Sequence, residues 1–331
     1  MSLLVPAGYG YFHYAPKGDG KLRKQWQQPY AADELARIAE FAGHCRALGM
    51  RFGVGLTPFG AHLDFSREAK VALKAKLTQL DSVGIDDLAI LFDDMDGDLP
   101  DLAQRQAEII AFAADHTRAS RLFTCPSYYS DDPVLDRVFG KRPENYLEDF
   151  GRLIDPAIAI YWTGEEVCSA EIGVGHLRDV ADRLGRKPAL WDNYPVNDGP
   201  RMSQYLHVRG FTGRSAAIAD HVSHHAINPA SQPLLNCIAA LTLPMLYRDG
   251  ADYRYSAAFM DAAVTVVGVQ LAMMLHADLL TLQDAGLDRL SDARKAKLVT
   301  RYGAVAHPAA AEVVDWLQGG YAITGEVLQT Q

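Results

Sequence analysis

Two adjacent carboxylates at the end of an apolar run are the residues best suited to chemistry in this sequence. Asp93 and Asp94 follow the run LAILF, within the stretch LAILFDDMDGD that begins at Leu88. A run that is apolar at every position is typical of a parallel strand covered on both faces. In a barrel of parallel strands the chemistry lies at the C-terminal strand ends, so the pair is a candidate for proton transfer. The alternative is that the two acids merely close the strand or cap the next helix.

The other predicted strands also end in polar or aromatic side chains. Taken singly, each has a simple explanation as a solvated lysine, a rim aromatic, a packed tryptophan or a turn-forming asparagine. A barrel would bring all of these strand ends onto one rim, where Trp stacks on a sugar ring and Asp or Asn binds hydroxyls. We therefore predict a sugar-binding site. Its candidate residues are Lys17, Tyr129, Thr163, Trp191, Asn193, Asp198 and Asn228.

Alternating short apolar runs and longer helical patterns must position these residues. This alternation predicts a parallel α/β protein, and seven strands suit a (β/α) barrel better than most open sheets. The predicted strands are Tyr9 to Ala15, Arg51 to Pro58, Leu88 to Asp93, Leu122 to Pro126, Ala157 to Thr163, Ala189 to Asn193 and Ala226 to Asn228. The predicted helices between or after them are Ala32 to Met50, Ser66 to Val83, Pro100 to His116, Glu144 to Leu153, Glu171 to Leu184 and Pro229 to Leu246. Ser66 is placed to cap the second of them.

After Tyr253 the pattern becomes purely helical, through Ala257 to His276, Asp288 to Tyr302 and Ala309 to Leu317. We predict a barrel domain over residues 1–250 and a helical appendage over residues 251–331. Adjacent residues on a strand point to opposite faces. One member of the Asp93 and Asp94 pair must therefore turn with the loop, which would give the two carboxyls different surroundings.

Composition narrows the class of protein. Lys+Arg 32 against Asp+Glu 41 gives a formal charge of -9, which argues against a broad nucleic-acid or anionic-membrane surface. The four cysteines are scattered without zinc spacing, so we expect buried free thiols. We see no signal peptide and no apolar run of membrane length, and therefore expect a cytoplasmic protein.

Metal and cofactor motifs are weak. DMDGD from Asp94 resembles the start of a calcium loop, but Arg105 stands where an EF-hand needs a Glu. GVGLTP from Gly53 lacks the third glycine of a dinucleotide loop. We expect no metal and no cofactor, and we expect His221, His224 and His225 to be solvated or packed.

The combination of strand-end motifs resembles a known family. YAPKGD, ILFDDMDGD, CPSYY, IYWTG, LWDNYPVND and INP occur in the order and at the spacing of the β-N-acetylglucosaminidases of glycoside hydrolase family 84. The resemblance covers about residues 9–245. It implies a (β/α)8 barrel that removes terminal N-acetylglucosamine with retention by substrate-assisted catalysis, acting on a glycan or glycoprotein.

The resemblance also implies roles for individual residues. Asp93 would orient and polarise the substrate's acetamido group, and Asp94 would be the general acid and then the base. Lys17 and Asn228 would bind hydroxyls, and Asp198 would bind the O4 and O6 hydroxyls. Tyr129 would hydrogen-bond the acetamido oxygen, Thr163 would lie near that pocket, Trp191 would form its wall and Asn193 would contact the sugar or the acid.

The sequence departs from the family in several places. Gly18, Tyr128 and Glu165 replace an Asp, a Glu and a Pro of the family's motifs, and the opening EGFYG strand has no counterpart. Either the sequence begins late, or residues 1–8 fill the position, or another chain covers it, which makes a homodimer an alternative to a monomer. The alternative function is a barrel that binds N-acetylglucosamine without turning it over.

Overall fold

The computed structural model describes residues 1–323 as alternating strands and helices. The strands are β1 (Tyr11–Tyr14), β2 (Arg51–Leu56), β3 (Asp87–Leu91), β4 (Arg121–Cys125), β5 (Ala159–Trp162), β6 (Ala189–Asp192) and β7 (His224–Ile227). The helices are α1 (Ala32–Ala47), α2 (Arg67–Ser82), α3 (Leu102–His116), α4 (Pro133–Phe139), α5 (Tyr146–Leu153), α6 (Val174–Leu184), α7 (Leu235–Asp249), α8 (Tyr255–Ala277), α9 (Asp292–Gly303) and α10 (Pro308–Leu317).

The strands form one sheet in chain order, β1-β2-β3-β4-β5-β6-β7. The neighbouring strands from β1 to β6 pair in parallel, for example with Val54 opposite Leu88 and Ile90 opposite Thr124. Each predicted strand overlaps one of these strands. Parallel neighbours joined through helices are the arrangement of a (β/α) barrel, and they place the C-terminal ends of β1 to β5 on the same side of the sheet.

Strand β3 is buried at all five positions, as the unbroken apolar run predicted. The helix after β2 begins as expected, because the Ser66 hydroxyl accepts a hydrogen bond from the Ala69 N–H at 3.3 Å. Helix α4 was not predicted. It begins where Asp132 caps the Val134 N–H at 2.9 Å and Pro133 occupies the first turn.

Two glycines of β2 allow the strands to pack closely. A Cβ at Gly53 would lie 2.5 Å from Cδ2 of His13 and 2.8 Å from Cβ of Asp87. A Cβ at Gly55 would lie 2.6 Å from Cβ of Ala15. Real Cβ contacts are not this short, so these positions require glycine as long as their neighbours stay in place.

A charged cluster lies at the N-terminal ends of β2, β3 and β4. Asp87 is fully buried and accepts hydrogen bonds from Arg51 and Arg121, whose Nη2 atoms lie at 2.6 and 2.5 Å. His13 approaches the same carboxyl at 3.3 Å. Burial opposes ionisation, but the hydrogen bonds from Arg121, His13 and Arg51 hold the pKa of Asp87 well below its usual range.

The chain divides into two compact units, each of which is described by itself. The first contains residues 1–165, 175–190 and 221–224, and the second contains residues 166–174, 191–220 and those from 225 onward. In the second, the Glu312 carboxylate of α10 accepts the backbone N–H groups of Leu234 and Leu235 at 2.9 Å. The predicted domain boundary near residue 250 stays a prediction, and residues 324–331 of the predicted appendage lie outside the described residues.

Helix α8 is long and apolar enough, by length and composition alone, to span a membrane. Its 23 residues include an 18-residue window of mean hydropathy 1.8, of which 44% is buried. The backbone leaves helical geometry inside it at Gly268, where φ is 76°. This differs from the prediction of no apolar run of membrane length, but a core helix of a soluble protein has the same properties. The absence of membrane contact therefore stays a prediction.

Candidate active site

The two adjacent carboxylates adopt different backbone conformations. β3 ends at Leu91, and Asp94 takes a left-handed conformation with φ 61°. This is the turn that the sequence required, since two neighbouring strand residues do not face the same side. Phe92, which precedes the pair, is held at the strand end. Its N–H donates to the Cys125 carbonyl at 2.9 Å, and its carbonyl accepts a hydrogen bond from the Ser127 hydroxyl at 3.0 Å.

The surroundings of the two carboxyls also differ. Asp94 is 8% exposed, and burial together with the neighbouring Asp93 charge raises its pKa, while Lys17 and Arg23 oppose this effect. Asp93 has one oxygen, Oδ1, that is buried and has no hydrogen-bond partner among residues 1–323. A buried carboxyl with a raised pKa and a neighbouring carboxyl whose Oδ1 has no partner among residues 1–323 can divide the work of acid and electrostatic helper.

Arg23 bridges the pair and was not found by the sequence analysis. Its Nη1 lies 3.4 Å from Asp93 Oδ2, and its Nη2 lies 3.2 Å from Asp94 Oδ2. The Arg23 side chain is 16% exposed. The available signal was the three further cations in the loop of Lys17, namely Lys21, Arg23 and Lys24, but loop spacing does not reveal which of them reaches the acids.

The segment that carries Arg23 is fixed to the loop after β2. The Thr57 N–H donates to the Leu22 carbonyl at 2.8 Å. The Trp26 indole Nε1–H donates to the Phe59 carbonyl at 3.1 Å, and both Leu22 and Trp26 are almost completely buried. Arg23 therefore enters the site from an anchored segment.

Tyr129 and Thr163 lie side by side at the ends of β4 and β5. The Thr163 N–H donates to the Tyr129 carbonyl at 2.9 Å, and the Thr163 hydroxyl approaches the same carbonyl at 3.4 Å. Both residues are buried, at 5% and 3% exposure. Tyr128 is a packed residue, because its hydroxyl donates to the Gly140 carbonyl at 2.6 Å and its side chain is fully buried.

Lys17 is the remaining predicted site residue of the first unit. It follows β1 and is exposed, and its charge acts on Asp94. The first unit thus brings Lys17, Arg23 and the aspartate pair into one electrostatic group.

The other predicted residues belong to the second unit, where two asparagines form a hydrogen-bonded pair. The Asn228 side-chain amide donates to Asn193 Oδ1 at 2.9 Å, and the Asn193 amide donates to the Val167 carbonyl at 2.7 Å. Trp191 and Asp198 are half-buried. Asn193 therefore already uses one donor and one acceptor to hold neighbouring loops.

Asp192, which the sequence analysis did not single out, anchors this segment. Its carboxylate accepts two hydrogen bonds from Arg214, at 2.8 and 2.6 Å, and His225 Nε2 lies 3.1 Å away. Tyr247 contacts the other nitrogen of His225 at 2.6 Å. Burial opposes ionisation, but His225 and Arg214 lower the pKa of Asp192. The histidine is packed, as expected, and the network fixes the backbone between Trp191 and Asn193.

Among residues 1–323, no cluster of three or more His, Cys, Asp or Glu side chains is arranged to hold a metal ion. The acids of DMDGD are not gathered into such a cluster. A cavity of about 650 Å³ is lined in part by Asp19, Lys21 and Glu34, and neither Asp93 nor Asp94 is among its lining residues. Lys21 pairs with Glu34 there.

Comparison with known proteins identifies what this chain is similar to. A family model described as beta-N-acetylglucosaminidase matches residues 1–280. The protein O-GlcNAcases of Mus musculus and Rattus norvegicus are each 27% identical over 271 residues, which are 78% of this chain and 29% of the relative. The chain thus corresponds to less than a third of the length of these relatives.

Solved structures show the same fold. An Asp-to-Asn mutant of the Thermobaculum terrenum O-GlcNAc hydrolase superposes with a TM-score of 0.78 at 23% identity, over 96% of this chain and 76% of that one. CpGH84B superposes with a TM-score of 0.71 at 19% identity, over 96% of this chain and 63% of that one. The predicted fold class, a TIM-type α/β barrel lacking one strand and followed by C-terminal helices, is confirmed.

Proposed function

Because the chain belongs to the β-N-acetylglucosaminidases of glycoside hydrolase family 84, we propose that it removes terminal N-acetylglucosamine with retention through an oxazoline intermediate. The observation that carries this proposal is the unequal environment of Asp93 and Asp94. One carboxyl is buried with a raised pKa, and the other has a buried oxygen without a partner among the described residues.

In the first step the substrate supplies its own nucleophile. The acetamido carbonyl oxygen attacks the anomeric carbon while the bond to the leaving oxygen breaks. Asp93 accepts a hydrogen bond from the acetamido N–H, which increases electron density on the carbonyl oxygen and stabilises the positive charge that develops on the amide. Its Oδ1, which has no partner within residues 1–323, suits this role, because an N–H donor there would satisfy a buried acceptor.

Asp94 moves the protons. Its raised pKa favours the protonated form that a general acid needs when it donates to the leaving oxygen. In the second step the resulting carboxylate takes a proton from water, and that water opens the oxazoline at the anomeric carbon. The product retains its configuration because the carbon has been inverted twice.

The remaining predicted residues would bind the sugar. Lys17, Asp198 and Asn228 would bind hydroxyls, and Tyr129 and Thr163 would line the acetamido pocket. Trp191 would form a wall of that pocket and Asn193 would contact the sugar or the acid. Asn193 is supported in this role by its fixed amide, which Asn228 and the Val167 carbonyl hold in one orientation.

The proposed substrate is a glycan or glycoprotein that carries N-acetylglucosamine. The mouse and rat relatives are named for action on O-GlcNAc, but this chain matches only 29% of their length. The activity and substrate of the whole protein are therefore part of the proposal. The homodimer, the cytoplasmic location and the absence of a nucleic-acid or membrane partner stay predictions.

Hydrolysis of aryl N-acetylglucosaminides by the full chain tests the proposal. We expect Asp94→Asn to lower kcat/KM for the 4-nitrophenyl substrate by about 10²- to 10⁴-fold. The loss should be smaller for a dinitrophenyl substrate, since a better leaving group needs less proton donation. Asp93→Asn should reduce both rates alike because it acts on the acetamide, and proton NMR should show the β-anomer as the first product.

Asp96→Asn is the matched control, because Asp96 lies in the same loop and is exposed. It should retain wild-type kcat/KM. Equal activity of the wild type and Asp94→Asn would contradict the assigned roles. Calorimetric titration with N-acetylglucosamine that shows binding, without hydrolysis of either substrate, would instead favour the alternative of a binding barrel.

A further inference from the structure

We propose that Arg23 is a positioning residue of the aspartate pair, which holds one oxygen of each carboxylate so that the second oxygen of Asp93 stays available to the substrate amide. This inference rests on the proposed function, in which Asp93 and Asp94 act on opposite ends of the reaction. It adds a residue from outside the strand ends to the site.

The geometry gives each carboxylate one arm of the guanidinium. Nη1 lies 3.4 Å from Asp93 Oδ2 and Nη2 lies 3.2 Å from Asp94 Oδ2. A guanidinium is a rigid planar fork, so two contacts from one arginine fix the spacing and the relative orientation of two carboxylates. An arginine that took both oxygens of a single aspartate would not link the pair.

The division of contacts leaves a specific atom unused. Arg23 contacts Oδ2 of Asp93, while Oδ1 is buried and has no hydrogen-bond partner among residues 1–323. A buried acceptor without a partner costs free energy that an incoming donor recovers. In the proposed reaction that donor is the acetamido N–H, so Arg23 determines which oxygen of Asp93 meets the substrate.

Arg23 is itself held in place. Its neighbours Leu22 and Trp26 are buried and hydrogen-bonded to the loop after β2, through Thr57 and Phe59. The Arg23 side chain also reaches the Thr57 hydroxyl, at 3.5 Å from Nη1. The anchored backbone fixes where the side chain starts, and the planar guanidinium is pre-organised, so less entropy is lost for each hydrogen bond that it makes.

The charge of Arg23 affects the pKa of Asp94 in a defined direction. The groups that act on Asp94 are Asp93 in the same turn, Lys17 after β1 and Arg23, and the Cys125 thiol of β4 also senses both acids. Arg23 makes the direct ion pair and opposes the rise in the pKa of Asp94. Removing its charge should therefore raise this pKa further. The basic limb of the kcat/KM profile, where the general acid loses its proton, should then move to higher pH.

The test compares Arg23→Gln and Arg23→Lys in the full chain. We expect Arg23→Gln to move the basic limb upward by about one pH unit and to lower kcat/KM by about 10- to 100-fold through misplacement of the carboxylates. Arg23→Lys should keep the limb near its wild-type position, because it keeps the charge. Its kcat/KM should nevertheless be lower than that of the wild type, because an ammonium is not a planar fork that can hold both carboxylates.

One further measurement and one control variant separate this role from a structural one. Carbon-13 NMR titration of labelled aspartates, with the Asp94 signal assigned by Asp94→Asn, reports the pKa of Asp94 without any substrate. Arg105→Gln is the matched control, since it removes an arginine that pairs with the exposed carboxylate of Asp101. It should leave both the limb and the Asp94 titration at their wild-type positions.

The outcomes are distinct. An unchanged Asp94 titration in a folded Arg23→Gln variant would overturn the proposal, even if the variant melts at a lower temperature. If that variant does not fold, Arg23→Lys decides: wild-type kcat/KM overturns the proposal, and a reduced kcat/KM with an unmoved limb supports it. If the wild type hydrolyses nothing, the proposed function fails, and a raised pKa of Asp94 in Arg23→Gln, with an unmoved one in Arg23→Lys, still supports the link between Arg23 and the pair.

Discussion

At the scale of single residues, one backbone angle gives two identical side chains different surroundings. Asp94 occupies the left-handed region at φ 61°, where a residue with a side chain is disfavoured by roughly 1 kcal/mol. This conformation turns its carboxyl away from the position that a regular strand would give it. The result is a buried carboxyl beside another whose Oδ1 has no hydrogen-bond partner among residues 1–323.

Part of this arrangement was predictable from the residues. The strand-end position of the pair and the turn at one member follow from the alternation of side chains along a strand. The ion pairs of Arg23 were not predictable, because a loop residue has no periodicity that indicates where its side chain ends. The same holds for Asp192, whose partners Arg214 and His225 come from later parts of the chain.

The raised pKa of Asp94 predicts a gain in stability when its charge is removed. A carboxyl whose folded pKa lies above its unfolded value of about 3.9 contributes stability below that value, and this contribution is lost as the pH rises through the folded pKa. We therefore expect Asp94→Asn to raise Tm at pH 7 by about 2 °C. Asn also tolerates a positive φ, so the backbone need not change.

Thermal unfolding followed by circular dichroism at pH 7 and pH 4 measures this effect. The gain should shrink at pH 4, where more of the wild-type carboxyl is protonated. Asp64→Asn is the control, because Asp64 is exposed and outside the pair, and its Tm should match the wild type at both pH values. A lower Tm for Asp94→Asn at pH 7 would contradict the electrostatic account.

At the scale of elements, close approach between strands depends on residues that have no side chain. The apolar runs predicted where all seven strands lie, and the pattern is clearest for β3, which is buried at all five positions. They did not predict helix α4, which has seven residues and is specified by its Asp132 cap and Pro133 rather than by a long apolar stripe. They also did not reveal that Gly53 and Gly55 are required by the neighbouring strands.

Two Gly→Ala substitutions, one in β2 and one in α1, should have opposite effects on the free energy of unfolding. Gly53→Ala would place a methyl group 2.5 Å from the His13 ring and 2.8 Å from Asp87 Cβ. We expect it to lower the free energy of unfolding by about 1–3 kcal/mol. Gly43→Ala, in α1, meets no atom within 4 Å and should raise this free energy by up to about 1 kcal/mol through helix propensity.

Urea unfolding of both variants beside the wild type provides the measurement. The pair is matched, since each change adds one methyl group to a glycine in a regular element. Equal stability of Gly53→Ala and the wild type would mean that His13 moves aside without cost, and the packing explanation would be wrong.

At the scale of the whole molecule, buried aspartates held by arginines link folding to pH. Asp87 in the first unit and Asp192 in the second are both fully buried, and each has a lowered pKa. A carboxyl of this kind contributes stability above its unfolded pKa of about 3.9, and the contribution is lost as the pH falls toward the folded pKa. Burial also lowers the pKa of His13, which adds a loss of the same sign in acid.

The stability of the protein in acid should depend on Asp87. We expect the urea midpoint of the wild type to fall steeply below about pH 4. Asp87→Asn should lower the free energy of unfolding at pH 7 by about 2–4 kcal/mol, because it leaves Arg51 and Arg121 without their shared anion. It should also flatten the decline in acid, since the variant has no carboxyl to protonate at this position.

Asp101→Asn, which breaks an exposed pair with Arg105, should change the free energy by no more than about 0.5 kcal/mol and keep the wild-type slope. An equally steep acid decline in Asp87→Asn would show that other groups control the acid stability of the protein.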